Sequence, residues 1–152
     1  MNEAQLGNQN LGDCLNAEQV NLWLAEIPYA QLLDVQAVDQ SSGLHFLLHA
    51  QASNVGNPLL PALHGGVLAA FMETAAVLNV MAYCGGEPIP KVVDFSIDYL
   101  RSAGLQPTWA SCQLGRLGKR LVNVTVTAWQ GEELEAPLAL ARCHLIWPES
   151  TT

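Results

Sequence analysis

One carboxylate, Glu73, lies in the middle of an apolar run that extends from Leu63 to Tyr83. Burial of an unpaired carboxylate costs several kcal/mol, so a buried Glu73 needs a partner or a chemical use. Its neighbours three and four residues away in a helix are all Ala or Val, which cannot bind it. A desolvated carboxylate with space beside it is suited to act as a general base. The alternative is a structural carboxylate tied to a backbone N–H or to an arginine.

The same run opens with His64, Gly65 and Gly66. Each glycine costs roughly 1 kcal/mol relative to alanine within a helix. In return, two glycines leave bare N–H groups at the positive end of a helix, where a ligand can approach closely. Such donors can stabilise the oxyanion that forms when a carbonyl is attacked. The alternative interpretation is a tight turn from a loop into a helix.

The spacing of these groups limits how they can cooperate. Gly65 and Glu73 are eight residues apart, which is about 12 Å along a helix at 1.5 Å per residue. They cannot both touch one reacting carbonyl from the same helix. We therefore expect Gly65 of one chain to meet Glu73 of a second chain across a dimer.

The hydrophobic pattern predicts the elements that carry these residues. It predicts a short helix over residues 16 to about 25, a hairpin of two strands, an irregular loop over residues 54–61, and a helix from Val67 to about Cys84. Period-two alternation then predicts four more strands, joined by short hairpins as antiparallel neighbours. This order favours an α+β domain in which a sheet of about six strands curls around one helix that is apolar on nearly all sides. We expect a single domain over residues 1–152, with a core from about 30 to 147, loosely ordered ends, and a second subunit that closes the core.

The charge distribution excludes several function classes. The net charge is −8, and no Lys or Arg precedes Lys91. A nucleic-acid binder requires a basic stripe, which this chain lacks, and a secretory signal requires a basic start. A membrane span is disfavoured because Glu73 and Asn79 interrupt the apolar run and no basic residues flank it. We expect a cytoplasmic protein with no membrane or nucleic-acid partner.

Cysteine and histidine spacing gives no metal signature. Cys14, Cys84, Cys112 and Cys143 are widely spaced and form no Cys-x-x-Cys pair, so reduced thiols are expected. The histidines His45, His49 and His144 have no cysteine or acid at ligand spacing. We expect neither a metal nor a cofactor.

Three segments together carry a family resemblance: His64-Gly65-Gly66 with an acid seven positions later, the stretch VDFSIDYLRSA, and the GRLGKR turn. From about residue 44 to 147, the sequence resembles the hotdog-fold acyl-CoA thioesterases of the phenylacetate-pathway (PaaI-like) group. The resemblance implies a sheet wrapped around a long central helix, dimers that often pair into tetramers, and hydrolysis of acyl-CoA. Coenzyme A is then part of the substrate.

The resemblance also implies residue roles. Gly65 N–H takes the place of the donor to the thioester carbonyl oxygen, and Glu73 takes the place of the nucleophile or general base. An Asn or Gln that helps this acid matches Asn57 only if the loop is shifted. The places of a helping Ser or Thr are held by Val92 and Val77. Whether Glu73 acts as nucleophile or base stays open.

Binding roles follow from the same resemblance. His64, Gly66 and Val92 are expected near the substrate, and His64 either shapes the turn or transfers a proton. Four basic residues are expected to hold the phosphates of coenzyme A: Arg101, Arg116, Lys119 and Arg120. Ordinary solvated turn charges are the alternative for these four.

Two rival functions stay open from the sequence. One is a hotdog dehydratase or hydratase, although no acid occurs between Gln40 and Met72 to pair with a histidine. The other is a non-catalytic acyl-CoA-binding protein, since the helper residues are missing. The acyl group, and the choice between dimer and tetramer, are also open.

Overall fold

Three helices lie in the part of the chain that the computed structural model describes, residues 15–132 and 136–148. Helix α1 is Ala17–Glu26, α2 is Pro28–Leu33 and α3 is Gly65–Tyr83. The Asn16 side chain caps α1 by accepting a hydrogen bond from the Gln19 amide at 3.1 Å, as its type and position predict. The predicted first helix is therefore confirmed.

Eight strands accompany these helices within the described residues. Six of them form one antiparallel sheet: β1 (Val35–Gln40), β2 (Gly43–Leu48), β5 (Lys91–Tyr99), β6 (Thr108–Leu117), β7 (Leu121–Trp129) and β8 (Ala139–Ile146). Their order across the sheet is β1-β2-β6-β7-β8-β5. The remaining two, β3 (Val55–Asn57) and β4 (Ala62–Leu63), form a small ribbon. The predicted sheet of six strands is confirmed.

Two local predictions are wrong. Strand β5 does not pair with β6, as a hairpin would require; it crosses to β8 and forms the edge of the sheet. The loop predicted as irregular contains a 3₁₀ turn (Ala52–Asn54) and the β3–β4 ribbon. Both differences arise because strand pairing is decided by contacts between distant segments, which local alternation does not encode.

Helix α3 packs across the inner face of the sheet and contacts β2, β5, β6, β7 and β8. Alternating residues of β7 are buried, from Val122 to Ala128, and so are Phe71 and Met72 of α3. Each large side chain buried in this way contributes about 1.5–3 kcal/mol. The length and composition of α3 would also suit a membrane span, but here these residues form the core of the sheet.

One face of α3 is not covered within a single chain, although the helix is apolar on nearly all sides. This open stripe consists of Gly66, Ala69, Ala70, Glu73 and Val77, of which Gly66 and Glu73 are exposed and the others half-buried. The prediction that Glu73 is a buried carboxylate is therefore wrong for the single chain. The physical reason is that one sheet can cover only one side of a helix, so an all-round apolar helix needs a further layer.

Candidate active site

The start of α3 is fixed by backbone hydrogen bonds on both sides of the chain. The Leu63 amide donates to the Ala103 carbonyl at 2.8 Å, and the His64 amide donates to the Asn54 carbonyl at 2.9 Å. The Asn54 side chain is itself buried and donates to the Leu33 carbonyl at 3.3 Å. The segment that leads into the helix is thus held by three distant parts of the chain.

His64 is the N-cap of α3. Its Nδ1 accepts a hydrogen bond from the Gly66 amide at 2.9 Å, and its carbonyl accepts the amides of Val67 and Leu68 at 3.0 and 3.2 Å. Because Nδ1 is the acceptor, the neutral ring carries its proton on Nε2. The Gly65 N–H forms no hydrogen bond to any residue in the described ranges. This N–H is therefore an open donor at the positive end of a 19-residue helix.

Tyr99 at the end of β5 lies directly against this helix start. Its hydroxyl donates to the Gly65 carbonyl at 2.7 Å, and a Cβ at position 65 would lie 3.3 Å from the Tyr99 Cζ and hydroxyl oxygen. Glycine at position 65 is therefore explained by close approach. The sequence did not identify Tyr99 as a site residue. The pattern that could have pointed to it is the alternation of β5, in which Tyr99 follows Phe95 and Ile97 as the last residue on the side facing the helix.

Glu73 lies two turns further along α3, on the open stripe. Its negative charge is close enough to the sheet to affect the pKa of Cys143 in β8. Burial first, and then the charges of Glu73 and Asp94, raise the pKa of the Cys143 thiol to about 12. Within one chain Glu73 stays about 12 Å from Gly65 along the helix axis. A single chain thus does not bring the two candidate catalytic groups together.

The candidate helper residues occupy three different places. Asn57 is exposed at the end of β3, and its Oδ1 accepts a hydrogen bond from the Leu59 amide at 3.0 Å. Val77 is half-buried one turn after Glu73, on the open stripe. Val92 pairs with Leu145 near the start of β5, at the opposite end of the strand from Tyr99.

The four basic residues do not form one cluster within a chain. Arg101 follows β5 at the end of the sheet where α3 begins, and its amide donates to the Leu138 carbonyl at 3.1 Å. The other three belong to the β6–β7 hairpin at the opposite end, where Leu121 and Lys91 both pair with Ile146. β5 spans nine residues between these ends, or about 26 Å at 3.3 Å per residue. The sequence could not show this because the crossover after β5 separates positions that are close along the chain.

A cavity of about 470 Å³ lies at the β6–β7 hairpin. It is lined by Arg116, Gly118, Lys119, Arg120, Leu121 and Asn123. The Oδ1 atom of Asn123 is buried there without a hydrogen-bond partner among the described residues. The cavity thus brings three cationic side chains together at one end of the sheet.

The histidines outside the helix start have structural contacts. His45 is buried edge-on against Trp129, with ring centroids 5.6 Å apart. His49 Nε2 lies 3.0 Å from the Gln36 amide oxygen, and His144 Nδ1 lies 3.0 Å from an Asp94 carboxylate oxygen. In residues 15–132 and 136–148, no three His, Cys, Asp or Glu side chains come together in a way that could hold a metal ion.

Comparison with known proteins now identifies the family. A model of the thioesterase superfamily matches residues 60–136, a segment that contains the helix start, Glu73, Tyr99 and the basic hairpin. The chain belongs to the thioesterase superfamily. Its sheet order and central helix are those of the hotdog fold. The predicted fold and the predicted thioesterase family are therefore both confirmed.

Solved structures place this thioesterase-superfamily chain among close fold relatives. A protein from Chromobacterium violaceum is 34% identical, with a TM-score of 0.69 over 87% of this chain and 91% of that chain. A phenylacetic acid degradation-related protein from Ralstonia eutropha, described as a proposed thioesterase, is 19% identical, with a TM-score of 0.70 over 84% and 98%. A Bacillus halodurans protein solved with CoA is 19% identical, with a TM-score of 0.70 over 88% and 89%. A comparison with curated protein sequences finds no match.

Three of the predicted thiols can be described. Cys84, Cys112 and Cys143 form no disulfide bond within the described residues. Burial first, and then the nearby Cys143, raises the pKa of Cys112. Cys14 lies outside the described residues. Burial therefore favours the neutral thiol forms of Cys112 and Cys143.

Proposed function

We propose that this protein hydrolyses an acyl-CoA thioester to the free acid and coenzyme A. The observation that carries the proposal is that α3 leaves both required groups open: the Gly65 N–H at its positive end and the Glu73 carboxylate on its open stripe. The first suits a developing oxyanion, and the second suits attack or proton removal. Membership of the thioesterase superfamily supports the reaction class.

In the proposed mechanism the thioester carbonyl oxygen accepts a hydrogen bond from Gly65 N–H, which makes the carbonyl carbon more electrophilic. Glu73 then attacks that carbon and releases the coenzyme A thiolate, and water hydrolyses the resulting anhydride. Alternatively, Glu73 removes a proton from a water molecule that attacks directly. Both routes place the negative charge of the tetrahedral intermediate beside the helix start.

The proposal requires a dimer because the two groups are about 12 Å apart on one helix. A two-fold arrangement with antiparallel α3 helices would bring Gly65 of one chain to Glu73 of the other and cover the open stripe. Strand β5 supports this, since it is an edge strand with Val93 and Tyr99 each 53% exposed. Pairing of two such dimers into a tetramer is compatible with the same site.

We further propose that the cavity at the β6–β7 hairpin takes the phosphates of coenzyme A. Cationic side chains recognise phosphate through charge-assisted hydrogen bonds, and Arg116, Lys119 and Arg120 line this cavity. The cavity lies at the end of the sheet opposite to Tyr99 and the Gly65 helix start. The CoA bound to the Bacillus halodurans relative supports a ligand of this class. Activity on acyl-CoA also agrees with the proposed cytoplasmic location.

A thiol-release assay tests the proposed function. Purified protein is given short, medium, long and aromatic acyl-CoAs, together with the Glu73→Gln variant and with Glu26→Gln as an exposed control. We expect Glu73→Gln to lower kcat by about 10²-fold or more and the control to match wild type. Undiminished hydrolysis in Glu73→Gln would refute the mechanism. Binding of acyl-CoA without turnover in wild type would support a non-catalytic binder, and hydration of crotonyl-CoA would support a hydratase.

A further inference from the structure

Two adjacent glycines at the start of a helix create a problem for an oxyanion donor. Glycine has the largest backbone freedom of any residue, whereas stabilisation of an oxyanion depends on donors that are held in place before the reaction. Gly65 and Gly66 are also at the solvent side of α3, with Gly66 exposed. Something outside the helix must hold their peptide planes.

The structure shows how this peptide is held. The Gly65–Gly66 peptide has its carbonyl bound by the Tyr99 hydroxyl at 2.7 Å and its N–H bound by His64 Nδ1 at 2.9 Å. The preceding peptide, which carries the Gly65 N–H, has its carbonyl bound by the amides of Val67 and Leu68. Both peptides that flank the Gly65 Cα are therefore fixed, and the direction of the open N–H is fixed with them.

The Tyr99 contact differs from the others because it comes from another element. Thirty-four residues separate Tyr99 from Gly65, and the tyrosine ring closes the space beside Gly65 that a side chain would occupy. A helix-internal bond cannot fix the helix start relative to the sheet, but a bond from the edge strand can. Tyr99 is 53% exposed, so its side chain contributes little to the packing of the hydrophobic core.

We infer that Tyr99 is a positioning residue: its hydroxyl holds the Gly65–Gly66 peptide so that the Gly65 N–H keeps the orientation that binds the thioester carbonyl oxygen. Tyr99 acts through the backbone and does not take part in proton transfer. The inference rests on the proposed function for its kinetic consequence, while its structural consequence can be measured separately.

The test is Tyr99→Phe, which keeps the ring against Gly65 and removes only the hydroxyl. The matched control is Tyr29→Phe, an exposed tyrosine of α2 whose hydroxyl has no hydrogen bond within the described residues. We expect Tyr99→Phe to lower kcat about five-fold, with KM within two-fold, because one neutral hydrogen bond that orients the donor is lost. Amide exchange at Gly65 and Gly66, followed by NMR, should become several-fold faster, and the control should change neither quantity.

The two readouts separate the possible failures. Unchanged amide exchange in Tyr99→Phe would overturn the inference, and so would faster exchange with unchanged kcat in an active enzyme. If wild-type protein hydrolyses no acyl-CoA, the proposed function fails, and the exchange data alone then decide whether Tyr99 orders the helix start. A purely structural role would lower the melting temperature without a selective effect on kcat.

Discussion

Substitution of Gly65 by alanine tests whether the helix start is a reaction site or only a turn. Gly65 does not need a left-handed backbone, so alanine can adopt its conformation. The new methyl group would lie 3.3 Å from the Tyr99 Cζ and hydroxyl oxygen and 3.4 Å from Cε1. These contacts are a few tenths of an ångström too short, and the exposed tyrosine ring must move by that amount.

The expected effect on stability is small because two contributions oppose each other. Alanine in place of a helical glycine stabilises by roughly 0.5–1 kcal/mol. Weakening of the 2.7 Å bond from Tyr99 to the Gly65 carbonyl removes about 0.5–1.5 kcal/mol. The free energy of unfolding should therefore change by less than about 1 kcal/mol, which for a domain of this size shifts the melting temperature by only about 2–4 °C.

The expected effect on activity is large. The methyl group sits beside the open N–H, where the thioester carbonyl must approach, and the peptide that orients this N–H is displaced. Loss of one oxyanion donor costs about 10²–10³-fold in kcat, so partial misplacement should cost about ten- to hundred-fold. Gly104→Ala is the control, because its Cβ would meet only ordinary contacts at 3.7 and 4.0 Å.

The assay is thiol release from the best acyl-CoA, with thermal unfolding of each variant in parallel. We expect Gly65→Ala to separate the two measurements, with a near-normal melting temperature and a strongly reduced kcat. A kcat within two-fold of wild type would show that Gly65 N–H does not bind the reacting carbonyl. A decrease in melting temperature of much more than 4 °C would show that the Tyr99 ring cannot move aside as the geometry indicates.

Three further predictions concern the cap, the basic hairpin and the buried thiols. His64→Ala removes the Nδ1 acceptor of the Gly66 amide and should destabilise by about 1 kcal/mol in urea unfolding; an unchanged midpoint would mean that the cap contributes nothing. Replacement of Arg116, Lys119 and Arg120 by glutamine should raise KM for acyl-CoA at least ten-fold with little change in kcat. The reason is that the phosphates lose their cationic partners while the reaction site stays intact. An unchanged KM would count against phosphate binding. The pKa of Cys143 is raised from 9.0 to about 12 in the folded protein, so the thiol ionises more easily in the unfolded chain. The stabilisation that the neutral thiol provides is fully present below pH 9. It is lost as pH rises towards 12, by up to about 1.4 kcal/mol per pH unit. Cys143→Ala should flatten that alkaline decline, and an identical slope in both proteins would contradict the shift.

Much of the local structure could be predicted from the sequence because its causes are local. Asn16 before an amphipathic segment predicts the N-terminal helix, and two-residue alternation predicts the strands. The long apolar helix and its glycine start follow from composition and spacing within a single stretch. The family resemblance rested on the same stretch, on the β5 region and on the hairpin at residues 115–120, and the thioesterase model covers all three.

The positions of the candidate site residues relative to one another could not be predicted in the same way. Arg101 and Arg116 are 15 residues apart in sequence, yet they lie at opposite ends of the sheet because β5 crosses to the far edge. Tyr99 reaches Gly65 for the same reason, since the end of β5 and the start of α3 meet at one end of the sheet. Neither the separation of the two arginines nor the contact between Tyr99 and Gly65 leaves a periodic pattern in the sequence, because each depends on the order in which the strands pair.

The sequence by itself determined the first helix, the six strands of the main sheet, the glycine start of α3 and the eight-residue spacing that keeps Gly65 and Glu73 apart on one helix. These properties depend on residue type and on the fixed rise of a helix. Only the tertiary structure decided that Glu73 is exposed, that Gly65 N–H is the open donor and that Tyr99 holds the adjacent peptide. Those outcomes depend on which surfaces one sheet can cover and on which distant groups its edges bring together.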